Sequence, residues 1–134
     1  MLCGSDANTE SAGYTFAVNE IIRGIKAVSA LEVERATPGW VAIQCPSESM
    51  AFWLRDAMKA ENLDARAEGS QVFVPVGAHY TLTGEIKSVI TVVAKTTHYW
   101  NDHLPLETLQ SVEILEALEQ LKNRVMGLLK RKPA

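Results

Sequence analysis

Two short runs constrain this chain more than any other feature. "LEVER" (31–35) alternates apolar and charged residues, and "WVAIQC" (40–45) follows after only "ATPG". A period of two belongs to a strand with one buried face, and a short Pro-Gly connection folds two such strands into an antiparallel hairpin. Residues 64–76, "DARAEGSQVFVPV", repeat the arrangement around Glu68-Gly69-Ser70. Between the two pairs the pattern turns helical. The Ser47 hydroxyl is placed to accept a backbone N–H of a first helical turn. Glu48 complements the dipole there, and Met50, Leu54, Ala57 and Met58 form an inward stripe that runs out near Asn62. Two hairpins with helices around them define an α+β fold: an antiparallel sheet of about four strands, covered by packed helices, with a long C-terminal helix.

Helices are expected on either side of this core. Val18, Ile21, Ile22, Ile25 and Val28 mark one stripe from about 15 to 29, although Gly24 inside it costs about 1 kcal/mol relative to alanine. Residues 86–97, "IKSVITVVAKTT", are rich in β-branched side chains, which favours a strand. Their spacing is helical, with Ile86, Val89, Ile90, Val93, Thr97 and Trp100 sharing a face. Spacing reports burial and propensity is a weak prior, so a helix is expected. Beyond Pro105, which suits a first turn, charge runs from acidic (Glu107, Glu113, Glu116, Glu119) to basic (Lys122, Arg124, Lys130, Arg131, Lys132), the order the helix dipole prefers. Residues 1–13 are small and polar without a period, which predicts a flexible N-terminal tail ahead of a single domain at 14–134.

Composition narrows the function. The 134 residues suit one domain with a real core. A net charge of -3 argues against a dedicated nucleic-acid binder. No apolar run is long enough to span a bilayer, and the N-terminus has neither a basic n-region nor an apolar h-region. Two cysteines, Cys3 and Cys45, make no disulfide framework. A cytoplasmic protein with no membrane association is expected. Glycine-rich phosphate loops, a serine nucleophile elbow and close carboxylate–histidine sets are absent, so no cofactor, no metal and no catalytic residue is assigned.

Four features remain as candidates. Cys45 sits just ahead of a helix start, where unpaired N–H groups could lower a thiol pKa. Alternation nevertheless places it on the core face with Val41 and Ile43, and Ala51 stands where a phosphatase-type loop has its arginine. "HYWNDH" places His98 and Asp102 four apart, with His103 next and His79 upstream, the raw material for a metal clip. The same residues also suit a turn before Pro105. The aromatic set is the third. Phe52 and Trp53 are adjacent, so one narrow stripe cannot bury both, and Phe73 points away from Val72 and Val74. Phe52, Trp53, Phe73, Tyr99 and Trp100 are therefore the candidate partner-binding residues. The fourth is the 4-3 spacing of Ile114, Leu118, Leu121, Val125 and Leu128, an apolar seam suited to helix–helix packing. Its charge gradient favours an antiparallel contact, either with a second copy or with the preceding helix at 86–93.

Together these features predict a non-enzymatic protein-interaction or regulatory protein. It would bind another protein through an aromatic and apolar surface, and would dimerise through the seam. A small enzyme using Cys45 or His98, Asp102 and His103 is the first alternative. A nucleic-acid-binding regulator is the second.

Overall fold

Ser11 opens the first helix. The computed structural model describes residues 1–103, and there the Ser11 Oγ accepts the Tyr14 N–H at 3.1 Å. Helix α1 then runs Ala12–Ser29 and ends where Ala30 turns left-handed, at φ 61°. Strands β1 (Glu32–Arg35) and β2 (Trp40–Gln44) form the first hairpin. Ser47 caps α2 (Glu48–Ala60) by accepting the Met50 N–H at 3.1 Å. Strands β3 (Arg66–Glu68) and β4 (Gln71–Pro75) form the second hairpin, and α3 covers Lys87–His98. A wide helical turn, Leu82–Ile86, leads into α3, and another, Tyr99–His103, follows it.

The four strands are antiparallel in the order β1-β2-β4-β3. One row of cross-strand neighbours is Val33–Ile43–Val72–Ala67. With Val41 and Val74 it makes the inner face, whose valines and isoleucine are buried. Helix α1 covers the β1–β2 side of the fold, and α2 covers β3 and β4. Ile21, Ile25, Leu54 and Met58 fill the space between and are fully enclosed. Burial of side chains of this size stabilises by about 1.5–3 kcal/mol each. Helix α3 packs onto α1 and α2 as a further layer. Ile86, Val89, Val93, Thr97 and Trp100 are buried and Ile90 is half-buried, so the expected helical face is the one used.

Two expectations are adjusted. The buried stripe of α1 is Tyr14, Ala17, Val18, Ile21 and Ile25, while Ile22 is half-buried and Val28 is 45% exposed. The stripe begins a turn earlier because the helix itself begins at Ala12. The first residues, expected as a tail, are bonded to the rest of Met1–Asp102, which packs as one compact unit. The Leu2 N–H donates to Asn62 O at 2.8 Å, and the Asp64 N–H donates to Leu2 O at 2.9 Å. The Ser5 N–H donates to Val76 O at 3.0 Å. The Tyr80 hydroxyl donates to Cys3 O at 2.6 Å. The expected terminal helix and its seam of Ile114, Leu118, Leu121, Val125 and Leu128 fall on residues outside the described ones.

Gly4 is the pivot of that first segment. A Cβ there would stand 2.6 Å from both Gly39 O and Val76 O, backbone atoms that cannot swing aside. Gly4→Ala is therefore expected to lift the segment off and to lower unfolding free energy by about 1–3 kcal/mol. Urea denaturation of the two proteins measures this, and equal midpoints would mean that the segment contributes nothing to the fold.

Candidate partner-binding surfaces

Helix geometry explains why the adjacent rings of α2 part company. Consecutive residues project about 100° apart, so with Leu54 and Met50 facing the core, Trp53 falls at the margin and Phe52 turns outward. Phe52 is 40% exposed, and the Arg55 guanidinium lies 5.2 Å from its ring centroid. Trp53 meets the end of α3. Its ring stacks on Tyr99 at 5.9 Å with an interplanar angle of 12°, and it tilts against Trp100 at 5.5 Å. Trp100 is nearly enclosed, whereas Tyr99 is 47% exposed. Offset stacks of this kind add about 0.5–1.5 kcal/mol to the area they bury. The fold thus gathers Trp53, Tyr99 and Trp100 at the α2–α3 corner, while Phe52, next to Trp53 in sequence, faces outward from α2. Lys95 Nζ and Glu61 Oε1, 2.9 Å apart, tie α3 to the chain just after α2.

Phe73 belongs elsewhere. It lies on the outer face of the sheet, in the cross-strand row Glu34–Ala42–Phe73–Arg66. Trp40 is on the same face, and the Arg66 guanidinium sits 4.5 Å from its ring centroid. A shallow cavity of about 410 Å³ opens here between Trp40, Phe73, Arg66, Glu68, Ala36 and Thr37. A second, of about 300 Å³, lies over Ala42 between Glu32, Glu34, Gln44 and Gln71. Glu32 and Glu34 are exposed and have no ion-pair partner among the described residues. Sequence reasoning found Phe73 but missed Trp40 and Arg66 as its neighbours. Alternation along 40–44 and 71–75 carried the signal for the face, but the pairing of β2 with β4 was needed to join them.

Cys45 is 4% exposed, and its N–H donates to Ser70 O at 2.8 Å. Burial pushes its thiol up from 9.0 to about 11. That is the reverse of what a reactive thiolate needs. His98 Nδ1 and Asp102 Oδ2 are 3.0 Å apart, the i,i+4 contact expected of a continuing helix. His79 is far from them in the chain and stands edge-on to Tyr80 at 4.9 Å. Among the described residues, no three His, Cys, Asp or Glu side chains converge as a metal site would require.

None of the comparisons with known proteins gives a relative. No protein-family model, no curated protein and no solved structure matches this chain. Among the described residues no helix is long and apolar enough to cross a membrane. The function must therefore be read from the two surfaces themselves.

Proposed function

We propose that this is a non-enzymatic interaction or regulatory protein, working as a homodimer, that holds another protein through the aromatic patch at the α2–α3 corner. The observation that carries the reading is Phe52, a large apolar ring 40% exposed and next in sequence to Trp53, which stacks on Tyr99. Aromatic side chains are the residue types most enriched at the centres of protein–protein contacts. The thiol-enzyme alternative loses its support with the enclosure of Cys45 and its raised pKa. Dimerisation rests on the apolar seam at 114–128.

The test compares tagged wild-type protein with Phe52→Asp in extracts of the native host. The ring contributes a cation–π contact with Arg55, worth about 0.5–1 kcal/mol at an exposed site, so the variant should remain folded. The expected result is one or more proteins retained by the wild type and depleted at least tenfold by the variant, with circular dichroism spectra alike. Equal recovery by both proteins overturns the patch as the contact.

A further inference from the structure

The geometry points to the outer face of the sheet as the seat of the 113–132 segment of a second copy, an inference that rests on the homodimer proposed above. The cross-strand row Glu34–Ala42–Phe73–Arg66 is ordered by charge: acid at the β1 edge, an apolar middle, base at the β3 edge. Three strand spacings make this row about 14 Å long. Trp40 widens its apolar centre, and Ala42 leaves a hollow of about 300 Å³ beside Glu32 and Glu34. Glu68 is the one charge of this face out of order, at the β3 edge beside Arg66.

The segment matches that row in order and in length. Read as a helix, as its 4-3 spacing predicts, it carries Ile114, Leu118, Leu121 and Val125 on one side. Lys122 and Arg124, two residues apart, fall about 80° to either side of the seam. They straddle it as Glu32 and Glu34 straddle the hollow on β1. Glu113 stands nine residues before Lys122, which is about 14 Å along a helix. Acid on Arg66 and base on Glu32 and Glu34 can therefore be met together, with Leu121 and Leu118 over Ala42 and Phe73. A seam of about two heptads is marginal as a coiled coil by itself. The aromatic sheet face supplies the apolar area that such a coil lacks.

The test uses the full chain. Multi-angle light scattering of the wild type is expected to show a dimer. Glu32→Lys with Glu34→Lys should weaken dimerisation at least tenfold, and adding Lys122→Glu with Arg124→Glu should restore it. Circular dichroism should be unchanged throughout, because both glutamates are exposed. Benzoyl-phenylalanine in place of Phe73, in a mixture of light and heavy-isotope chains, should cross-link to 113–132 of the other chain. A dimer unaffected by the lysines, a failed charge swap, or cross-links confined to one chain would each overturn the seat while leaving the dimer standing. A wild type that is monomeric at tens of micromolar overturns both.

Discussion

Gly24→Leu is expected to lower unfolding free energy by about 2–3 kcal/mol. Gly24 lies where α1 crosses α3. A Cβ at this position would come within 2.8 Å of Ile90 Cγ1 and closer still to Ile90 Cδ1. Those atoms are the far end of a half-buried side chain, so Gly24→Ala can be accommodated by a change of Ile90 rotamer. Alanine also gains about 1 kcal/mol of helix propensity over glycine, which makes that variant near neutral. Leucine cannot be accommodated so cheaply. Its three extra carbons would have to displace α3, which packs against α1 along its length, and overpacking of this kind costs about 1–3 kcal/mol or more. For a unit of this size the loss corresponds to a fall of about 10–20 °C in melting temperature. Gly24→Leu with Ile90→Ala should recover more than half of it, because the second change vacates the volume that the first requires. A thermal melt of the four proteins decides the matter. A leucine variant as stable as the wild type would mean that the two helices do not approach here.

The same contact shows what was legible in the sequence. Gly24 reads as a weak point of a helix, because only its propensity is visible in one dimension. Its use is to admit Ile90, and that depends on a residue 66 positions away (90 − 24). The α3 face, by contrast, was legible against the propensity of its residues. Ile86, Val89, Val93, Thr97 and Trp100 are buried because a helix laid over two others needs one apolar side, and that need writes itself as spacing. The first segment was opaque for a different reason. Leu2 and Ser5 are held by backbone hydrogen bonds to Asn62, Asp64 and Val76, and Gly4 by having no side chain. None of those contacts leaves a periodic trace.

The candidate surfaces divide along similar lines. Adjacency of Phe52 and Trp53 was enough to predict that one ring must face outward, and Phe52 does. Grouping was not available, since Trp53 meets Tyr99 and Trp100 only through the packing of α2 on α3. Phe73 was separated from that group by the sheet, whose order β1-β2-β4-β3 places it with Ala42 and Arg66 instead. The charge order of the row Glu34–Ala42–Phe73–Arg66 exists only once the register is known.

Cys45 should react with an alkylating reagent at least a hundredfold more slowly in the native protein than in urea at pH 8. Two causes act in the same direction. The thiol is 4% exposed, and its pKa is raised from 9.0 to about 11 by burial. The shift alone lowers the thiolate fraction at pH 8 by about a hundredfold, since each pKa unit is a factor of ten. Cys3 is exposed and serves as an internal reference in the same sample. The shift also has a sign for stability. The folded state holds the thiol proton more tightly than the unfolded one, so the contribution is fully present below pH 9 and is lost as pH rises from 9 towards 11. A shift of that size corresponds to about 3 kcal/mol. The Tyr80 hydroxyl, also raised by burial, weakens the fold in the same direction at still higher pH. Cys45→Ala separates the two, because the variant should lose markedly less stability than the wild type between pH 9 and 11 in parallel urea titrations. Parallel pH profiles for the two proteins would show that the thiol does not titrate differently on folding. Native labelling as quick as that of Cys3 would show that it is open to solvent, and thiol chemistry would then return as a reading of this chain.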